Sequence, residues 1–142
     1  MRFQKAQAIV EFAIVLPLFL MFLVGLIYFG FFFADYLTVS NTTRNIAHEV
    51  ALSENPNVQE IINQKTAQVT LISDVFVWKP NESKYLNVGY SSDGKDVVVK
   101  SHLDYSSSSY FGKIMKSVNK FSANKNGIDI TYTMYRPSGS GP

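Results

Sequence analysis

The chain has 142 residues, a formal net charge of +2 and no cysteine. This length suits one membrane helix followed by one small domain. The near-neutral charge, with no run of five or six basic residues, excludes the electrostatic field of a nucleic-acid-binding protein. The lack of cysteine excludes a disulfide framework, a thiolate nucleophile and a cysteine-ligated zinc site.

One apolar run dominates the first quarter of the chain. No charged residue occurs between Phe12 and Ala34. As an α-helix rising about 1.5 Å per residue, this run is about 34 Å long, which exceeds a hydrocarbon core of about 30 Å. We therefore predict a membrane-spanning helix over residues 7–34. The run is too long for the core of a removable signal peptide, and no clean small-residue cleavage site follows it.

The charges at the two ends of this run indicate its orientation. Arg2 and Lys5 precede the helix and Asp35 follows it, so the positive-inside tendency places the N-terminus in the cytoplasm and the rest outside. A single acidic residue, Glu11, directly precedes the N-terminal end of the apolar run. A carboxylate at the edge of a lipid-embedded segment is costly and rarely lacks a partner. Glu11 is therefore either a solvated headgroup-level carboxylate or a group that meets a cation on a neighbouring copy.

Pro17 lies inside the predicted membrane helix. Proline removes one helical hydrogen bond, and membrane helices tolerate this better than soluble ones. Two interpretations stay open at this point. Pro17 produces a harmless kink, or it marks the place where the helix unwinds when it leaves lipid.

The helix is predicted to continue beyond the membrane as an amphipathic segment over residues 35–54. No Pro or Gly occurs from Asp35 to Leu52, and apolar residues recur at helical spacing with polar residues opposite them. This apolar stripe consists of Tyr36, Leu37, Val39, Ile46, Ala47, Val50 and Ala51. Asn55-Pro56 is predicted to end the long helix and to cap and begin a short second helix, which runs to about Lys65.

Residues 55–136 are predicted to form an extracytoplasmic α+β head. Period-two alternation of β-branched and aromatic residues predicts strands, and the dipeptide Asp93-Gly94 predicts a hairpin turn. The predicted strands cover residues 69–78, 85–90, 96–105 and 128–135. We expect three or four antiparallel strands that pack against the amphipathic half of the long helix, because so small a sheet needs a cover.

The remaining segments of the head are predicted to be less regular. Residues 106–109, four serines, form either a flexible exposed loop or an adhesive tip. Residues 111–121 form a short helical or irregular excursion. Residues 137–142 form a flexible tail, because they consist of proline, glycine and serine.

The N-terminal sequence carries a family resemblance. Residues 5–17, with the sequence Lys-Ala-Gln-Ala-Ile-Val-Glu-Phe-Ala-Ile-Val-Leu-Pro, resemble the start of TadE-like pseudopilins, which belong to the tight-adherence (Tad) branch of type IV pili. Residues 37–44 and 130–136 look like later segments of that family. The resemblance implies that a prepilin peptidase removes a basic leader, residues 1–6, by cutting between Ala6 and Gln7. Ala6 stands where the family usually has glycine.

The resemblance also implies how the chain assembles. The cut creates an α-amine at Gln7, mostly protonated at neutral pH, and Glu11 of one copy would pair with the Gln7 amine of the next. The helix residues Glu11, Phe12 and Pro17 form the implied assembly motif. An unpaired carboxylate in a dry helix bundle would be strongly unfavourable, so this pairing would set the axial register.

The function implied is that of a structural subunit of a Tad-type surface pilus that supports adherence. The subunit would sit in the bacterial cytoplasmic membrane as a single-pass protein and then enter the cell-surface pilus. The implied partners are the membrane, other copies or related pilins, the prepilin peptidase and the pilus assembly machinery. The alternative is an unprocessed, permanently anchored extracytoplasmic binding or scaffold protein.

No catalysis, metal or other cofactor is expected. His48 and His102, the two histidines, lie in different segments without the spacing of metal ligands or of a catalytic triad. No phosphate-binding loop occurs in the sequence. The sequence therefore predicts a structural protein.

Overall fold

One long helix runs through the first third of the protein. The computed structural model describes the backbone of residues 2–122 and 126–137, and the side chains of residues 7–118 and 126–137. Helix α1 spans Arg2–Leu52, 51 residues without a break, and it begins five residues before the predicted membrane segment. Pro17 lies within it and does not interrupt it.

Six further elements follow, in the order α2, β1, β2, β3, α3 and β4. Their bounds are Val58–Thr66 for α2, Phe76–Val77 for β1, Leu86–Tyr90 for β2, Asp96–Tyr105 for β3, Tyr110–Ser122 for α3 and Gly127–Tyr135 for β4. The predicted α+β class is confirmed, with the long helix, the short second helix and a four-stranded antiparallel sheet.

The sheet is built around β3. Strand β4 pairs antiparallel with β3 along almost its full length, from Asp96↔Tyr135 to Asp104↔Gly127. Strands β2 and β1 pair with β3 on its other edge, β2 with residues 97–101 and β1 with residues 104–105. The predicted turn joins β2 to β3: Gly94 has a φ of 69°, a conformation that favours glycine, and the Ser91 N–H donates to the Asp96 carbonyl at 2.8 Å.

The second half of α1 covers this sheet, as predicted. An upper core cluster places α1 against α2 and the sheet; it contains Ile46, Ala47, Val50, Ala51, Ile61, Ile62, Leu86, Val97 and Val99. A lower core cluster lies nearer the apolar half of α1; it contains Val39, Val75, Phe76, Leu103, Tyr105 and Ile130. Along β4, Ile128, Ile130, Tyr132 and Met134 share the inner face, as the alternation predicted.

Part of the predicted helical stripe is wrong. Leu37 is exposed, whereas the polar residues Ser40, Thr42 and Thr43 are buried. Their hydroxyls find partners: Thr43 donates to the Val39 carbonyl at 2.7 Å, and Ser40 shares a hydrogen bond with the Tyr132 hydroxyl at 2.9 Å. Small hydroxyl residues can therefore face the sheet, because back-bonding to the helix satisfies them.

The start of the second helix also differs from the prediction. Helix α2 begins at Val58, and Asn57 rather than Asn55 caps it. The Asn57 side-chain oxygen accepts from the Glu60 N–H at 3.4 Å. Asparagine fits either position equally well by composition, so only the backbone path decides between them.

The predicted strand over residues 69–78 shrinks to the two residues of β1. The preceding residues form bends and turns instead. Ile72 and Ser73 donate their backbone N–H groups to the side chain of Asp35 and not to a neighbouring strand. The buried carboxylate of Asp35 thus accepts the N–H groups that would otherwise pair with a neighbouring strand, as the β-branched composition predicted.

The serine segment is exposed in its middle and packed at its two ends, because Ser107 and Ser108 are exposed. Ser106 and Ser109 are buried, and Ser109 caps α3, its hydroxyl accepting from the Gly112 N–H at 3.4 Å. A Cβ at Gly112 would lie 2.3 Å from the Ser106 carbonyl oxygen, so only glycine fits there. These contacts seat the start of α3 against the end of β3. The predicted tail beyond Pro137 lies outside the described residues.

Candidate assembly surface

The first half of α1 has almost no cover from its own chain. Residues 7–31 are exposed along their whole length, and their large apolar side chains are 38% to 72% exposed. The segment is long and apolar enough to cross a membrane, and none of its most apolar window is buried inside the protein. So large an apolar surface marks a site of membrane or protein contact. We call residues 7–31 the stalk.

Glu11 and Gln7 lie together near the start of the stalk. The Gln7 Nε2 group donates a hydrogen bond to Glu11 Oε1 at 3.3 Å, and both side chains are exposed. They lie one turn apart on the same helix face. A neutral amide cannot balance the carboxylate charge, so Glu11 retains the capacity to bind a cation. The side chain of Ala6 lies outside the described residues.

The other two predicted assembly residues lie on different faces. Phe12 follows Glu11 by one residue, about 100° around the helix, and is 65% exposed. Pro17 stands six residues beyond Glu11, about 240° around the helix. The structure thus brings Gln7 and Glu11 together and leaves Phe12 and Pro17 apart from them. The helix is continuous through Pro17, which lacks the N–H that would bond to the Ala13 carbonyl.

Asp35, at the opposite end of the apolar run, is fully buried. One of its oxygens accepts from the Ile72 N–H at 2.6 Å, and the other accepts from the Ser73 N–H at 3.1 Å and from the Ser73 hydroxyl. Ionised acceptors form hydrogen bonds about twice as strong as neutral ones. Asp35 therefore links the loop before β1 to α1 by hydrogen bonds, at the point where α1 begins to pack against the head. Sequence reasoning used Asp35 only as an end charge and missed this role.

Arg136 forms hydrogen bonds at the opposite end of the head, where α1 ends. It is buried, and its Nη2 group donates to the Glu54 carbonyl at 2.9 Å and to the Ser53 carbonyl at 3.5 Å. Its guanidinium also lies over the Tyr90 ring, 5.8 Å from the centroid. The carbonyls of Ser53 and Glu54 belong to the residues that directly follow α1, and a cation is favoured near the C-terminal end of a helix. Arg136 thus ties the end of β4 to the end of α1.

An ion-pair network lies on the outer face of the sheet. His102 Nδ1 lies 2.6 Å from Asp129 Oδ1, its Nε2 lies 3.1 Å from Asp104 Oδ1, and Lys84 pairs with Asp104. Burial raises the pKa of Asp104, but hydrogen bonds from Lys84, Tyr85 and His102 outweigh it and hold that pKa below its ordinary value. Sequence reasoning placed His102 in a satisfied role, and its two carboxylate partners agree with that.

No metal centre is apparent in the part of the chain that the structure describes. No group of three or more histidine, aspartate or glutamate side chains there has an arrangement that could hold a metal ion. The chemistry available at the stalk is therefore that of a single carboxylate on an exposed apolar helix. Such a surface can pack against lipid or against other helices, and its acid can select a cationic partner.

Comparison with known proteins finds a family match over the stalk and the residues that follow it. Residues 6–48 match the family model of TadE-like proteins. The match covers the stalk, Asp35 and part of the buried continuation of α1, and it ends before α2. The resemblance of residues 5–17 and 37–44 is thereby confirmed, and the match does not reach residues 130–136. No curated protein and no solved structure matches the chain.

Proposed function

From the match of residues 6–48 to TadE-like proteins, we propose that this Tad-pilus-related protein is a pilin-like structural subunit. It enters the cytoplasmic membrane through the stalk, with the N-terminus inside and the head outside. It then leaves the bilayer and packs stalk against stalk in a surface pilus that supports adherence. The observation that carries this proposal is the exposed apolar stalk with one acid, Glu11, near its start.

The proposed assembly step gives Glu11 a cationic partner, whereas among the described residues its hydrogen bond comes from the neutral amide of Gln7. Prepilin peptidase cuts between Ala6 and Gln7, and the new amine of Gln7 carries a positive charge at neutral pH. In a packed bundle of stalks, that amine neutralises Glu11 of the adjacent copy. Buried carboxylates are tolerated when they are paired in this way. The partners are then other copies or related pilins, the peptidase and the assembly machinery, with no enzymatic role.

The cut can be tested directly by mass spectrometry of the chain from a host with the Tad machinery. We expect a mature N-terminus at Gln7, because the residues before it form a short basic leader. An Ala6→Gly variant restores the residue that the family usually carries and is expected to be processed at least as completely. A chain that retains Arg2–Ala6 in both forms would favour the rival, a permanently anchored extracytoplasmic scaffold.

The charge at Glu11 can be tested with an isosteric pair of variants. Glu11→Gln keeps the side-chain size and the hydrogen bond to Gln7, but it removes the charge that a neighbouring amine needs. We expect Glu11→Gln and Glu11→Ala to reach normal levels in the membrane and to reduce surface filaments at least tenfold. The measurement is electron microscopy with immunodetection of sheared pili. Normal filaments from Glu11→Gln would show that the pairing model is wrong.

A further inference from the structure

Helix α3 has two chemically distinct faces. It carries three lysines, Lys113, Lys116 and Lys120, and no acidic residue. At about 100° per residue, the lysines share one side of the helix and the apolar residues share the opposite side. The apolar side consists of Phe111, Ile114, Met115 and Val118. A helix with a basic face, an apolar face and little net hydrophobicity is typical of helices that lie in a membrane interface.

Only part of this apolar side is used inside the head. Phe111 and Met115 pack against the lower core cluster. Ile114 and Val118 are each 57% exposed, and Tyr110 at the start of the helix is 86% exposed. Two aliphatic side chains and one aromatic side chain therefore form an apolar edge on a helix whose inner side is already packed. We call Tyr110, Ile114 and Val118 the α3 edge.

The α3 edge continues the apolar surface of the stalk. The rings of Tyr28 and Phe111 stack with centroids 5.7 Å apart, so the start of α3 lies beside α1 at Tyr28. Ile114 and Tyr110 line one cleft together with Tyr28 and Phe111. Phe111 also lines an apolar groove on the stalk, together with Leu18, Met21, Phe22, Gly25, Leu26 and Phe29. Phe111 thus joins the groove on the stalk to the cleft at the α3 edge, and this mostly apolar surface also includes Asp74 and Ser109.

The depth of the contact matches the outer boundary of a bilayer. Tyr28 lies sixteen residues beyond Phe12, about 24 Å along the helix at 1.5 Å per residue. If the hydrocarbon core of about 30 Å begins at Phe12, Tyr28 lies about 6 Å inside its outer boundary. Interfacial helices bury their apolar faces about 5–10 Å into that boundary. Tyrosine is also enriched there, which suits Tyr28 and Tyr110.

We infer that α3 is a membrane-surface helix whose edge lies in the outer interface of the bilayer that the stalk crosses. Lys113, which is exposed on the basic face, extends to the anionic headgroups of phospholipids, because α3 carries lysines and no acidic residue. The inference rests on the proposed membrane anchoring of the stalk. It gives the head a fixed orientation on the membrane before assembly, held by α1 and by α3 together.

The absence of cysteine allows a direct test on the full chain. Single-cysteine variants Phe22→Cys, Ile114→Cys and Ser92→Cys would carry nitroxide labels on the stalk, on the α3 edge and on the exposed turn between β2 and β3. The proteins would be reconstituted in vesicles of phosphatidylcholine and phosphatidylglycerol. Collision with oxygen, which concentrates in lipid, would be compared with collision with a water-soluble nickel complex. We expect labels at 22 and 114 to favour oxygen at least tenfold more than the label at 92 does.

The possible outcomes separate this inference from the anchoring on which it rests. A lipid-exposed label at 22 with a label at 114 as nickel-accessible as that at 92 would overturn the surface helix and leave the anchor intact. Spin–spin broadening at 114 would show that a second copy covers the edge, which also overturns it. A water-exposed label at 22 would contradict the anchor and the inference together. In phosphatidylcholine alone, nickel access at 114 should rise, and an unchanged value would refute the headgroup role of Lys113.

Discussion

Two acidic residues, Glu11 and Asp35, flank the apolar run, and they differ in burial. Asp35 is buried, and its two oxygens accept three hydrogen bonds from the loop before β1. Glu11 is exposed, with the neutral amide of Gln7 as its hydrogen-bond donor. Asp35 is thus satisfied within one chain and serves the fold. Glu11 is available for a contact between chains, which is the residue-level basis of the proposed assembly.

Replacing Asp35 by asparagine tests its structural role. The asparagine amide has the same size as the carboxylate, but an NH2 group replaces one of its two accepting oxygens. That NH2 group faces an N–H of Ile72 or Ser73, which then loses its acceptor. We expect the free energy of unfolding of the head to fall by about 3 kcal/mol. The measurement is urea denaturation of the full chain in mild detergent, followed by the fluorescence of Trp78, the single tryptophan.

The matched control is Asp74→Asn, which makes the same chemical change at an exposed neighbour. It is expected to change stability by less than about 0.5 kcal/mol. Equal effects of the two variants would show that the buried hydrogen bonds of Asp35 do not stabilise the head.

Helix α1 is one continuous element with two different environments. Its first half is exposed and apolar, whereas its second half buries Val39, Ile46 and Val50 against the sheet. Continuity matters, because a rigid helix transmits the position of the stalk to the head without a hinge. Pro17 leaves this continuity intact, and the hydroxyls of Thr38, Thr42 and Thr43 are satisfied by carbonyls one turn earlier in the helix.

Charge placed on the buried half of α1 should unfold the head. Ile46 is fully buried, so Ile46→Asp removes apolar contacts and buries a carboxylate without a partner. We expect a loss of at least about 4 kcal/mol, enough to abolish the cooperative transition of Trp78 fluorescence. Adding Val39→Asp and Val50→Asp should have the same result.

Asn45→Asp is the control for this experiment, because the neighbouring residue is exposed and gains the same charge. It should leave the unfolding transition in place. A head that stays folded with Asp at position 46 would show that α1 does not cover the sheet.

The whole molecule consists of a stalk and a head with few contacts between them. The head's core contains residues of α1 from Phe32 onward, and Phe32 packs against Phe76 with ring centroids 5.0 Å apart. Before that point, the described contact of the stalk with the head is the stack of Tyr28 on Phe111. Most of the stalk surface therefore faces surroundings outside its own chain, and we expect the head to fold without it.

A chain that begins at Gly30 should consequently fold. It loses the Tyr28–Phe111 stack, worth about 1 kcal/mol, and keeps the rest of the core. We expect a soluble monomer by gel filtration, with a melting temperature within about 8 °C of that of the full chain in detergent. Aggregation, or loss of the thermal transition in circular dichroism, would contradict the separation of stalk and head.

Local patterns predicted much of this architecture. The charge-free run predicted the apolar half of α1, and strict alternation predicted β3 and the inner face of β4. Asp93-Gly94 predicted the turn between β2 and β3, where Gly94 has a positive φ. These features depend on neighbours in sequence, since hydrophobic periodicity and turn chemistry act over a few residues. On the assembly surface, helix periodicity alone places Gln7 and Glu11 on one face.

Contacts between distant residues decided the rest. The strand predicted over residues 69–78 is mostly a loop, because the carboxylate of Asp35 accepts the N–H groups of Ile72 and Ser73. The link of Arg136 to the end of α1 likewise joins residues 82 positions apart. The amino-acid order alone therefore determined a long apolar helix, a short helix and a small antiparallel sheet. Which polar groups are buried was decided by tertiary structure, because a buried polar group depends on partners that only the folded chain brings near.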